Sequence, residues 1–197
     1  AAHIGVLRAL EEMDVEVSFV TGTSIGAFVG ALYAFGNTSK DIEEIALELK
    51  WMDISGIAIF ESGLLSNAKL GKLLSKSMED KKIEDAEIPL AVVATDITSG
   101  DKVVIDKGAV AQAVMASTCI PGVFSPVEFD EKLLVDGGIV ENIPIDTVKN
   151  MGAEYVIGVD LNAKKMYNKP DSILDVMINS FHFTLKAAAK YQTQDAD

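Results

Sequence analysis

The hydrophobic positions follow two rhythms that alternate along the chain. Ile4, Val6, Leu7, Leu10 and Met13 recur at helical spacing with Glu11 and Glu12 on the polar side, which predicts a helix starting at or before the first residue. Val17 to Thr21 is a short run with a β-branched and aromatic bias and predicts a strand. An apolar run of small residues, Ile25 to Phe35, predicts a second helix, ended by Gly36-Asn37. Ser39 is the expected cap of a third helix with Ile42, Ile45, Ala46 and Leu49 on one face. Trp51 to Leu65 has no clean period and predicts a loop region with apolar side chains. Ser66 or Asn67 caps a helix carrying Leu70, Leu73, Leu74 and Met78, which the polar stretch Glu79 to Glu87 ends.

The second half is richer in strands. Ile88 to Asp96 reads as a strand buried on both faces, as in a sheet covered by helices. Ser99-Gly100-Asp101 turns it back into a short strand from Lys102 to Asp106. Gly108 to Ser117 predicts a helix with Val110, Val114 and Met115 inward, broken by Cys119-Ile120-Pro121-Gly122. Phe124–Phe129 and Lys132–Val135 bracket a second hairpin. Pro144 to Met151 is a short helix with proline in its first turn, and Tyr155 to Asp160 reads as another buried strand. Ser172 caps a final helix whose stripe runs through Ile173, Val176, Met177, Phe181, Leu185 and Ala188, before an acidic tail from Gln192. Strands alternating with helices predict one α/β domain over residues 1–197, a three-layer α/β/α sandwich with a largely parallel central sheet. No repeat, low-complexity tract or linker divides it.

Composition narrows the partners. Hydrophobic residues at 49% and charged residues at 24% suit a globular domain. The longest apolar run, Ile25 to Phe35, falls far short of the about 20 residues a membrane span needs. The net charge of -13 repels nucleic acid and anionic head groups at long range, and the isolated pairs Lys81-Lys82 and Lys164-Lys165 do not make a basic patch. One cysteine, Cys119, excludes an intrachain disulfide and suits a reducing, cytoplasmic setting.

Candidate chemistry centres on Gly22-Thr23-Ser24-Ile25-Gly26. A strand enters this Gly-x-Ser-x-Gly pentapeptide and a helix leaves it, the layout that holds a serine hydroxyl out of the sheet on a strained turn. The glycines fit a turn that crowds the backbone, and the helix start aims free N–H groups, that of Ile25 among them, where an oxyanion would form. A serine needs a base. The two histidines, His3 ahead of the first apolar stripe and His182 inside the last helix, are each more often packed than catalytic. Asp136 ends a predicted strand and precedes Gly137 and Gly138, which allow a close approach of a neighbouring element. On residue chemistry alone, a base and a turn aspartate are even readings. Asp96 and Asp160 end strands without such glycines. Neither metal-ligand spacing nor a phosphate-cradling glycine pattern is present, so no metal or cofactor is expected.

Thr21–Ala27, Ala116–Val127 and Val135–Pro144, with His3–Leu10 and Ala94-Thr95-Asp96, together resemble the bacterial patatin-like phospholipases over residues 1 to about 161. The resemblance implies a serine acyl hydrolase with a Ser–Asp dyad and no catalytic histidine. Ser24 would be the nucleophile, Asp136 its base, and a lipid acyl ester the substrate: phospholipid, lysophospholipid or neutral glyceride. It also implies an oxyanion hole in a glycine-rich segment ahead of Ala1. Those glycines are not among these residues, and a leading segment is expected to carry them. Two readings compete with the dyad: a Ser24–Asp136–His182 triad esterase, and a catalytically weak lipid-binding or regulatory domain. Lipid substrates and the apolar residues of Trp51 to Leu65 lead us to expect transient contact with a membrane surface.

Overall fold

A computed structural model describes residues 2–48, 78, 81–161 and 169–193. The expected loop from Trp51 to Leu65, the helix from Ser66, the pair Lys164-Lys165 and the end of the acidic tail lie outside those residues. Helix α1 spans Ala2–Glu12, strand β1 Val20–Thr23, α2 Ile25–Ala34 and α3 Ser39–Glu48. A 3-10 turn at Ile83–Asp85 leads into β2, Leu90–Asp96, and β3, Lys102–Ile105. Then follow α4, Val110–Ser117, the strands β4, Val127–Phe129, and β5, Lys132–Asp136, and the short helices α5, Gly138–Glu141, and α6, Ile145–Asn150. The long α7, Ile173–Gln192, comes last.

β2 is the centre of the sheet and is buried on both faces up to Thr95, as its apolar run requires. Leu90, Val92 and Ala94 face one core with Ile4 of α1, Phe28 and Leu32 of α2, Ile42 of α3 and Val110 and Val114 of α4. A second cluster, Ile143, Ile145, Val148, Val156 and Ala189, gathers α6 and the C-terminal half of α7, with Phe19 packed against it. These two helical layers on one sheet make the expected three-layer α/β/α arrangement.

The strand directions decide where the site forms. β1 runs parallel to β2 and ends with Thr23 opposite Val93. β3 is antiparallel to β2 and faces both Val93 and Ala94. β5, also antiparallel, ends with Asp136 opposite Ala94. Since β3 occupies one edge of β2 at both residues, β1 and β5 share the other edge. They run toward each other and meet end to end between Val93 and Ala94. β4 extends the sheet as the hairpin partner of β5. The sheet is therefore mixed. The βα alternation supplies its parallel pair, and the two hairpins supply antiparallel ones.

Three expectations need correction. Tyr155–Asp160 joins no ladder: only Val156 is buried, while Tyr155 is 70% exposed. Thr38, not Ser39, caps α3. Its Oγ1 accepts from the Asp41 N–H while Asp41 accepts from the Thr38 N–H, and the Ser39 N–H and hydroxyl both donate to Glu11. The stripe of α7 is mostly outside the core: of its residues only Leu185 is fully buried, while Ile173, Val176 and Met177 are exposed, Ile173 at 82%. Ser172 does cap that helix, accepting from the Asp175 N–H.

Candidate active site

Ser24 stands where β1 leaves the sheet. Its backbone lies at φ 55 and ψ -126, a conformation that non-glycine residues rarely adopt and that costs about 1–3 kcal/mol. Gly22 makes the turn possible. A Cβ there would lie 2.5 Å from the Cα of Ala27 and from the carbonyl oxygen of Gly26, so β1 and α2 close directly onto each other. Gly26 differs from expectation, since a methyl group there would meet only His3, at 3.6 Å. The crowding of the elbow rests on Gly22. Ile25, the first residue of α2, carries an N–H without an intrahelical acceptor by position.

Asp136 ends β5, directly across the strand junction. The Ser24 hydroxyl donates to its Oδ2 at 2.6 Å, and the Gly138 N–H donates to its Oδ1 at 2.8 Å. Asp136 is 1% exposed. Burial pushes its carboxyl up to about 6 from the ordinary 3.8, against the pull of the bonds from Ser24 and Gly138. Gly137 brings this end of β5 against β2. A Cβ on Gly137 would sit 2.1 Å from the Val93 carbonyl oxygen, which only glycine avoids. The aspartate backbone is held as firmly, since its carbonyl accepts from the Thr95 hydroxyl at 2.9 Å and its N–H donates to the Cys119 carbonyl at 2.9 Å.

Neither histidine enters this pair. The 2.6 Å bond leaves no room for an imidazole between Ser24 and Asp136. His182 lies within α7 beside the Phe181 ring, their centroids 6.4 Å apart. His3 packs next to Gly26 in the wall of a groove of about 620 Å³, and burial pushes it down to about 4. That groove runs along β1 and the segment Val156–Val159, and takes in Gly22, Thr23 and Gly26 but neither Ser24 nor Asp136.

Two contributions escaped residue-by-residue reading. Ser117 accepts from the Ser24 N–H at 2.8 Å. Glu141, 3% exposed, accepts from Lys102 Nζ at 3.0 Å and from the Thr147 N–H at 3.1 Å, while its carbonyl accepts from the Thr23 hydroxyl at 2.8 Å. Through these bonds Glu141 of α5 ties β1, β3 and α6 together one residue from Ser24. Both lie far from the elbow in sequence, and neither has a local signature. No group of acidic, cysteine or histidine residues arranged for a metal occurs among the described residues.

Fold and geometry together define an α/β domain of the nucleophile-elbow type, with an aspartate bonded directly to the serine. The chain belongs to the patatin-like phospholipase family, whose family model matches residues 1–149. It is 35% identical over 174 residues to patatin-like phospholipase domain-containing protein 6 of Mus musculus, covering 83% of this chain and 13% of that protein. An uncharacterized NTE family protein of Mycobacterium bovis is 34% identical over 170 residues, covering 83% of this chain and 46% of its own length. The chain thus spans less than half of these relatives. Among solved structures, VipD from Legionella pneumophila shares the fold at a TM-score of 0.55 and 16% identity, covering 71% of this chain and 44% of that one.

Proposed function

We propose that the protein is a lipid acyl hydrolase of the phospholipase A, lysophospholipase or esterase type, with Ser24 as nucleophile and Asp136 as general base. The observation that carries the reading is the 2.6 Å bond from the Ser24 hydroxyl to a buried carboxylate. As Ser24 Oγ attacks the acyl carbonyl, its proton passes to Asp136 Oδ2 and charge develops on the carbonyl oxygen. In this reading the N–H of Ile25, the first residue of α2, donates to that charge. The proton then goes to the departing alcohol, leaving an acyl group on Ser24. Asp136 next takes a proton from the water that attacks the acyl-enzyme and returns it to Ser24 Oγ as the fatty acid leaves.

The raised carboxyl suits this role. A base poised near 6 is ionised at neutral pH yet holds a proton better than an ordinary aspartate. A fluorophosphonate probe applied to the full-length protein is expected to label Ser24, and hydrolysis of lysophospholipid to match that labelling. The His182→Ala variant is expected to keep both within about threefold, because a residue outside the proton path contributes less than the ~10²–10⁴ of a general base. A loss in His182→Ala comparable to that in Ser24→Ala would establish the triad instead. Absence of labelling would leave a lipid-binding or regulatory domain.

No described helix is long and apolar enough to cross a membrane. Contact with the lipid surface in this reading is peripheral and transient. Co-sedimentation with vesicles of zwitterionic lipid measures it: reversible binding is expected, and its absence at all lipid concentrations would remove membrane contact from the proposal.

A further inference from the structure

The strained backbone of Ser24 is tethered at its N–H. The ladder of β1 on β2 ends at Thr23, and the Ser24 N–H lies just past it. It donates instead to the Ser117 hydroxyl at 2.8 Å, and that hydroxyl donates to the Val93 carbonyl at 2.6 Å. Ser117 is completely buried, the last residue of α4. Its single proton and one of its lone pairs are both committed. The acceptor is the same Val93 carbonyl against which Gly137 is packed, at the junction where β1 and β5 meet. The Ser117 oxygen thus bridges the elbow to the central strand at the place where β1 departs from it.

The residues after Ser117 hold the other half of the pair. The Cys119 carbonyl accepts from the Asp136 N–H at 2.9 Å. Within three residues, one chain reversal fixes the backbone of Ser24 through a side chain and the backbone of Asp136 through a carbonyl. The two strands that carry these residues come from opposite directions and share no backbone bond with each other in the ladder. β2 pairs with both strands, and at the junction itself the end of α4 is bonded to both.

We propose that Ser117 is a positioning residue for the reaction, its hydroxyl clamping the Ser24 backbone so that Ser24 Oγ stays within hydrogen-bond reach of Asp136. The inference rests on the dyad reading above. Ser117 does not touch the reacting atoms, and it acts through the N–H of the nucleophile.

The test compares Ser117→Ala, Ser117→Thr and Ser117→Cys with Asp136→Asn in the full-length protein. Readouts are kcat, KM, the rate of fluorophosphonate labelling per folded molecule, and the acid limb of the pH profile. Ser117→Ala is expected to lower kcat and the labelling rate ~10–100-fold, the scale of a small misplacement of a reacting group, with KM changed by less than about threefold. Its acid limb is expected to move to higher pH, because a displaced Ser24 hydroxyl takes from Asp136 part of the bond that holds its carboxyl down. Ser117→Thr, which retains the hydroxyl, is expected to recover most of the lost rate. Where Ser117→Ala does not fold, Ser117→Cys is read in its place: its volume is close to that of serine and its sulfur is a weak acceptor, so the same loss is expected. Wild-type kcat and labelling rate in folded Ser117→Ala or Ser117→Cys, with only a lowered melting temperature, would overturn the proposal. Full activity in Asp136→Asn would overturn the dyad reading itself, whatever the Ser117 variants do.

Discussion

Asp136→Asn is expected to lower kcat by ~10²–10⁴ while making the protein more stable at neutral pH. The two effects share one cause. The carboxylate is buried at the junction of β1 and β5 and receives only the Ser24 hydroxyl and the Gly138 N–H, so burial dominates and its carboxyl rises to about 6. A group whose pKa is higher in the fold than in the unfolded chain favours folding only while protonated. Its contribution is complete below about 4, declines as pH rises, and is lost above about 6. Moving from 3.8 to about 6 corresponds to on the order of 3 kcal/mol of cost at pH 7–8. Asparagine removes the charge and keeps polar atoms for both partners. Its melting temperature should exceed that of the wild type at pH 8, and the gap should close toward pH 4. Activity of the wild type should follow the opposite course, falling below about pH 6 as Asp136 gains the proton that it must be free to accept. A stability difference independent of pH would show that the carboxyl is not raised. Retained turnover in the variant would show that it is not the base.

This opposition between folding and chemistry explains what could be read in the sequence. Ser24 was visible because the elbow needs glycine on one side and an apolar strand and helix on either flank, all within a few residues. On residue chemistry alone Asp136 is one of two even readings, since its burial depends on β2, well before it in the chain, and only the family resemblance implies the base. Its Gly137 neighbour carried the right signal, a close approach, but nothing local names Val93 as the element approached. Ser117 had no residue-level signature: a serine at a helix end is ordinary, and its partner Ser24 lies 93 positions away. The elements behaved similarly. Hairpins followed their turn residues, while Tyr155–Asp160 had the composition of a strand without a ladder, because composition does not supply a partner. Thr38 displaced Ser39 as the cap of α3 because Glu11 of α1 engages the Ser39 hydroxyl and N–H. In each case the missed feature was a contact between segments distant in sequence.

The meeting of β1 and β5 on one edge of β2 gives the pair its particular chemistry. Two strands ending head to head bring a backbone turn and a carboxylate together without an intervening residue, which is why the serine proton reaches aspartate directly. The same arrangement leaves little polar surroundings for the aspartate, and so raises its pKa. In the proposed dyad the burial that strengthens the base is also what costs the fold stability.

Ser24→Gly and Ser24→Ala are both expected to abolish fluorophosphonate labelling and to reduce turnover to background, yet to differ in stability. Each removes the hydroxyl, and each takes from Asp136 the bond that holds its carboxyl down, so the electrostatic consequences are matched. They differ at the backbone. Alanine keeps a Cβ at φ 55, whereas glycine adopts that conformation without strain. Relief of strain is worth about 1–3 kcal/mol, and the greater freedom of unfolded glycine returns roughly 0.5–1 kcal/mol of it. Ser24→Gly should therefore be the more stable of the two by about 1 kcal/mol in denaturant midpoints measured with the same slope. Equal stability, or a more stable Ser24→Ala, would mean that the elbow is relaxed and that the Ser117 bond has no strain to restrain. Turnover above background in either variant would remove Ser24 as the nucleophile. With the predicted order, the strain at Ser24 is stored by the fold, in the close packing of Gly22 on α2 and the tether to Ser117, and is present before any substrate arrives.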